Sequence, residues 1–249
     1  MILLKTSEEI EIMREAGRIS ALALQVAGAA IKPGISTKEL DTIARETIIS
    51  HGAEPGFLGE NGFPATACIS VNEEIIHTIP SDKKNLKTGD IVSIDVGARY
   101  KGFNGDNTCT FACGEISSDA QKLLDVTKKS LDLAIKSVQI GSKIGDISFT
   151  VQNYVETMGF FIIKKFVGHG IGRSIHEDPK VPNFGKPGTG EVIQEGLVIA
   201  IEPMVNQGTE NIIISNDGWR VVTADGRLSA HFEHTVAATK DGPVILTSC

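Results

Sequence analysis

Apolar and polar residues follow two rhythms along this chain, and the rhythm changes at glycine and proline. Thr6-x-x-Glu9 is a capping box, and Ile10, Met13 and Gly17 continue a helical face towards Ala30 until Pro33-Gly34 breaks it. Ser36-x-x-Glu39 opens a second helix that ends near Gly52. Phe57 to Val71 reads as loop and strand. Ile75 to Pro80 reads as a short strand closed by proline, and Ile91–Val96 with Asp106–Ala112 as a hairpin across a glycine turn. The scheme then restarts. Ser118-x-x-Gln121 predicts a helix through about Val138, followed by a helix from about Asp146 to Met158 and a strand from Phe160 to Val167. Gly185 to Gly190 is a turn-rich loop before another apolar run.

The restart has a fixed spacing. Asp95 and Glu202 lie 107 residues apart, each at the end of an apolar strand-like run with a glycine (Gly89, Gly196) six residues earlier. Gly34 and Gly141, Leu40 and Ile147, and Gly52 and Gly159 repeat the offset. A second pair, Asp106-Asn107-Thr108 and Glu233-His234-Thr235, is offset by 127, which leaves 20 extra residues in the later loop. Chance likeness of short apolar strands accounts for one such pair; several landmarks at one spacing point to two related halves. The expected fold is α+β, with helices covering a curved antiparallel sheet. It is expected as one domain, 1–249, built of halves at about 1–112 and 113–249. An ionised carboxylate in a buried strand is costly unless a cation or dense hydrogen bonding compensates it. Two at equivalent places suggest a charge-compensated centre between the halves.

Composition narrows the partners. A chain of 249 residues, 41% hydrophobic, buries a full core. Its net charge of -7 argues against nucleic acid or an anionic membrane as main partner. No apolar stretch reaches the ~20 residues of a membrane span, and the start turns polar too soon for a signal peptide. A cytoplasmic protein is expected. Cys68, Cys109, Cys113 and Cys249 form no Cys-x-x-Cys pair and read as thiols. Gly168 to Gly172 and Gly185-Lys186 fail the dinucleotide and phosphate-loop patterns.

The histidines differ in setting. His51 stands at a helix end, where imidazole serves the C-terminus. His77 lies in an apolar strand, His169 between glycines after a strand, and His176 ahead of Glu177-Asp178-Pro179. If Asp95, Asp106, Glu202, Glu233 and His169 converge, four carboxylates cannot all stay ionised without cations. Two divalent ions would neutralise them. Oxygen-rich ligands with one nitrogen and no thiolate suit manganese, iron, cobalt or zinc. Two such ions can activate a water for carbonyl hydrolysis.

Seven motifs now carry a resemblance: Asn72-Glu73 leading to His77, Ile94-Asp95-Val96, Gly105-Asp106, Gly168-His169-Gly170-Ile171-Gly172, His176-Glu177-Asp178-Pro179, Ile201-Glu202-Pro203 and Phe232-Glu233-His234-Thr235. Over nearly its whole length the chain resembles the type I methionine aminopeptidases, members of the pita-bread metallopeptidases. The resemblance implies a pseudo-two-fold α+β fold, and removal of the initiator methionine from nascent polypeptides with a small second residue. It places the work in the cytoplasm, at or near the ribosome, by a monomer. Carried over by motif, Asp95 would chelate one metal, His169 with Glu202 the other, and Asp106 and Glu233 would bridge. His77 and His176 would hold the scissile amide, and Glu202 would shuttle a proton. Phe63, Cys68 and Trp219, with Phe57 nearby, would form the methionine pocket. Glu60 stands where the family commonly has tyrosine, Ile175 where it often has phenylalanine, and His231 where it often has glutamine. Rival readings are a proline-specific or creatine-hydrolysing relative, a silent peptide-binding module, and a metal-stabilised structural protein.

Overall fold

A computed structural model describes residues 2–248; Met1 and Cys249, one of the four cysteines read as thiols, lie outside the described residues. Helix α1 (Ser7–Ala29) starts where its capping box places it. Thr6 accepts from the Glu9 N–H, and the Glu9 carboxylate takes the Thr6 N–H. Helix α2 (Thr37–Ser50) begins the same way, with Ser36 and Glu39. The later pair starts earlier than its sequence signals. Helix α3 (Ser118–Lys136) is capped by Ser117, whose hydroxyl accepts from Ala120 N–H, so Ser118 is already helical. Helix α4 (Ile144–Thr157) starts two residues before Asp146, because the Asp146 carboxylate reaches back to the Lys143 N–H at 2.8 Å.

The spacing of 107 recurs in the backbone. Both ends of α2 and α4 are related by it, as are the last residues of α1 and α3. So are two isolated bridges, Ser36 with Asn85 and Lys143 with Val192. The paired glycines adopt matching left-handed φ values: 92° and 90° at Gly34 and Gly141, 74° and 83° at Gly52 and Gly159, 96° and 85° at Gly89 and Gly196.

Both helix pairs lie against a nine-stranded sheet. Its main path is Glu54–Pro55, Ile91–Tyr100, Phe103–Ala112, Glu233–Thr239, Val198–Ile201, Gly168–Gly170 and Glu177–Val181, with every neighbouring pair antiparallel. The central hairpin is longer than its apolar run predicts. Lys101 and Gly102, at φ 46° and 81°, make a two-residue turn whose twist suits the flanking strands. Two expected strands shrink. Ile75 to Pro80 is strand only over Glu74–Ile76, since His77 turns left-handed at φ 58°. Phe160 to Val167 is strand only over Phe161–Ile162; Ile163 instead buries its side chain beside Ile76, Met204 and Val221.

Each helix pair covers one half of the core on the same face of the sheet, and Cys109 packs against both halves. Ile19, Leu24, Leu40 and Ile48 of α1 and α2 pack on Ile69, Ile94 and Val96. Leu123, Leu131, Ile147 and Val151 of α3 and α4 pack on Ile199, Ile201 and Val236. One contact is closer than side chains permit. A Cβ added at Gly105 would come within 3 Å of the Gly17 backbone, and one at Gly17 within 3 Å of the Leu246 carbonyl. Helix α1 therefore lies with backbone on backbone against the strand that carries Asp106. Among the described residues no helix is long and apolar enough to cross a membrane.

Candidate metal centre

The strand order brings the four acids to the middle of the sheet. Asp95 lies opposite Thr108, Gly97 opposite Asp106, and Glu233 opposite Thr108 on its other side. Glu202 follows the Val198–Ile201 strand directly. The acid-x-threonine repeat has a structural use that its spacing alone did not reveal. Thr108 donates to Glu233 Oε2 at 2.8 Å, while Thr235 donates to the Asp106 carbonyl at 2.8 Å and accepts from the Asp106 N–H at 3.0 Å. Each copy's threonine thus fixes the other copy's acid.

His169 comes from the next strand. It lies within the short Gly168–Gly170 strand rather than after one. Its flanking glycines answer to packing: a Cβ at Gly168 would strike the Ala200 carbonyl, and one at Gly170 the Asp178 carbonyl. The His169 Nδ1 lies 2.9 Å from the Gly170 carbonyl, which only accepts, so Nδ1 carries the proton and Nε2 offers its lone pair to the acids.

Asp106, His169 and Glu233 are buried and offer ligand atoms all within 4.8 Å of one another. Asp95 and Glu202 line the same cavity outside that tight group. Burial, and then the neighbouring carboxylates, hold Asp106, Glu202 and Glu233 well above the usual carboxylate range. Burial raises Asp95 to about 7, against hydrogen bonds from Thr108 and Asp106 that lower it. Asp95 Oδ1 and Asp106 Oδ1 are shut off from solvent with no hydrogen-bond partner. Orphaned acceptors in a cluster of acids are what a cation satisfies. The donor set of carboxylate oxygens and one neutral imidazole fits a hard or borderline divalent ion.

The histidines are held neutral. Burial lowers His77 and His169 to about 4, with the nearby His176 adding to both, and lowers His231 to about 3. The approaches of His169 Nε2 to Glu202 at 3.6 Å and of His231 Nε2 to Glu202 at 3.8 Å are therefore not ion pairs. His77 packs edge-on against Phe166 at 5.6 Å, and the His176 ring lies 4.4 Å from that of His169. His176 is exposed and sits 3.9 Å from Glu60 at the rim.

Beside the acids the wall turns apolar. Phe63 and Trp219 meet edge-to-face at 5.2 Å, and Cys68 packs with them, its thiol pushed well up by burial. In the turn between the strands Ile212–Ile214 and Val221–Thr223, the Trp219 backbone N–H donates to the Asp217 carboxylate at 2.9 Å. One cavity of about 160 Å³ is thus lined by His77, His176, the five candidate ligands, Phe63, Cys68 and Trp219. Asn61 also lines it, from a left-handed position at φ 48° in the Glu60–Gly62 turn. Nothing in the sequence singled out Asn61, since a polar residue beside glycine reads as an ordinary turn.

A family model described as "Metallopeptidase family M24" matches residues 11–240. A methionine aminopeptidase of Clostridium perfringens is 51% identical over 247 residues, covering 99% of each chain. One of Clostridium acetobutylicum is 48% identical over the full length of both. The crystal structure of a methionine aminopeptidase from Thermotoga maritima superposes with a TM-score of 0.99 at 44% identity, covering 100% of both chains.

Proposed function

The chain belongs to metallopeptidase family M24, and from that premise we infer that it is a metal-dependent aminopeptidase that removes N-terminal methionine from polypeptides. The observation that carries this reading is one small cavity with acids and imidazole on one wall and Phe63, Cys68 and Trp219 on the other. The apolar wall suits an unbranched thioether, through sulfur–aromatic contact and a close fit. The finer reading gives Asp95, Asp106, His169, Glu202 and Glu233 to two divalent ions, cobalt, manganese, iron or zinc. When bound, such ions polarise a carbonyl and acidify a water.

The remaining work belongs to the chain's own side chains. Hydrolysis adds a water oxygen to the scissile carbonyl carbon, breaks the C–N bond, and moves a proton from that water to the departing nitrogen. Glu202, with its carboxyl raised by burial, suits the carriage of that proton. His77 and His176, neutral and outside the ligand set, are donors for the developing charge on the carbonyl oxygen. A small second residue, nascent chains as substrate, a cytoplasmic setting and a monomeric state complete the reading.

The test is a panel of peptides with added divalent metals. Release of methionine from Met-Gly and Met-Ala peptides, and not of leucine or lysine from their analogues, is expected. Preference for proline over alanine in second place would favour the proline-specific relatives instead.

A further inference from the structure

His176 stands in the loop 171–176, between the strands Gly168–Gly170 and Glu177–Val181. Its ring is exposed, so its place depends on the backbone that carries it. Two side chains hold that backbone. Asn104, buried in the strand of Asp106, takes the first part of the loop. Its backbone N–H and its side-chain amide donate to the Gly172 carbonyl at 2.9 and 3.0 Å, and the amide also donates to the Arg173 carbonyl at 3.1 Å. Glu177 takes the last part. Its Oε1 accepts from the Ser174 N–H at 3.2 Å, closing a turn around Ile175 and His176.

The two holds differ in charge. Asn104 is neutral, whereas Glu177 is a carboxylate with its side chain only 8% exposed, and such a group needs compensation. Lys5 supplies it from 172 residues away in the chain. Its buried ammonium donates to Glu177 Oε2 at 2.6 Å and to the Leu3 carbonyl at 2.7 Å. Lys5 is itself anchored. Its N–H donates to the Gly196 carbonyl at 2.7 Å, just before the strand that leads to Glu202, and the adjacent Thr6 caps α1. The ion pair also lies on bare backbone. A Cβ at Gly172 would come within 3 Å of Lys5 Cε and Nζ and of Glu177 Oε1, which accounts for the last glycine of the Gly168 to Gly172 run.

We propose that Lys5 is a positioning residue for His176, acting through Glu177. The proposal rests on the part given to His176 in the aminopeptidase reading. Without Lys5, the Glu177 carboxylate is a buried charge with no cation beside it. It turns to water or takes up a proton, and its hold on the Ser174 N–H weakens. The imidazole two residues further on then loses its fixed distance from the scissile carbonyl, and catalysis by an oriented group is sensitive to such an error. Neither Lys5 nor Glu177 lines the metal cavity, so the loss should fall on kcat rather than on metal or substrate binding.

A double-mutant cycle on the metal-loaded enzyme, with Met-Ala-Ser as substrate, provides the test. Lys5→Met is expected to lower kcat about tenfold, part of the ~10²-fold that the imidazole supplies, with KM and bound metal near wild type. In His176→Ala the same change should have no further effect on kcat, because the group it positions is gone. A merely structural role would lower kcat by the same factor in both backgrounds, and that result overturns the proposal. So does an unchanged kcat in Lys5→Met. If circular dichroism shows Lys5→Met unfolded, Glu177→Gln takes its place in the cycle, since it removes the charge and keeps the shape. Equal kcat in wild type and His176→Ala overturns the role of His176, and this inference with it. Failure of the wild type to release methionine overturns the aminopeptidase reading itself.

Discussion

Asp95 and Glu202 stand 107 residues apart at matching points of a repeated backbone, yet they keep different company. Asp95 faces Thr108 across the hairpin and neighbours Asp106. Glu202 lies within 4 Å of two imidazoles, those of His169 and His231. A repeated fold supplies equivalent positions for charge, and unequal neighbours make those positions chemically distinct. One side of the centre is oxygen-only, while the other mixes oxygen and nitrogen.

The largest test removes what both sides share. Asp106→Ala or Glu233→Ala should abolish methionine release and reduce bound metal, while circular dichroism still reports a folded chain. Loss of one acid relieves repulsion in the metal-free cluster. Full turnover by chelator-treated wild-type enzyme would sink the two-sided centre altogether.

Next come the groups outside the ligand set. His77→Ala and His176→Ala should each lower kcat on the order of 10²-fold with metal content close to wild type. Metal lost from His176→Ala, measured by elemental analysis, would move that residue into the ligand set.

The oxygen-only side is tested through pH. Asp95 titrates at about 7 in the fold and near 3.9 when unfolded, so the folded metal-free protein holds this proton more tightly. Its contribution is present below the unfolded value and is lost as pH rises through about 7. Asp95→Asn, which cannot ionise, should therefore gain melting temperature over metal-free wild type progressively between about pH 4 and pH 7, and hold that gain above. Excess divalent metal should reverse the order, because it binds the ionised acid. A difference that stays flat across this range contradicts the assignment.

The smallest effect concerns the rim. Glu60 lies 3.9 Å from His176 with its carboxylate half exposed. Glu60→Gln should improve cleavage of peptides with an early acidic residue relative to basic ones by about 3-fold, the size of a screened surface interaction. The change should shrink at high salt. An unaltered ratio would leave Glu60 without a part in selection.

What the sequence made legible was local or anomalous. The caps at Thr6 and Ser36 are complete within four residues, so their helices start where expected. Asp95 and Glu202 were conspicuous because an acid in an apolar run demands compensation. The residues carried over by motif do meet in one cavity. The left-handed turn at His77 was illegible, since nothing in its apolar surroundings calls for a positive φ and its ring contact, Phe166, lies far along the sequence. The crossed bonds of Thr108 and Thr235 depend on the register between strands more than 100 residues apart, which short-range pattern does not encode. The apolar stretch at Ile163 reads as strand, but after one bond from the Ile163 N–H to the Met204 carbonyl the chain leaves the ladder and Ile163 is held by burial of its side chain.

Gly105, which lets α1 lie directly on the Asp106 strand, and Gly17, which faces it and also abuts the Leu246 carbonyl, have heavy counterparts in the repeat. Leu124 stands 107 residues after Gly17, Phe232 stands 127 after Gly105, and both belong to the core beneath α3. The later half is thus spaced at these positions by side chains, which can exchange volume with their neighbours in the core. The earlier contact has no volume to exchange. Mutational tolerance should accordingly divide the molecule: positions 124 and 232 admit compensated drift, whereas 17 and 105 each admit one residue, and neither can rescue a change in the other.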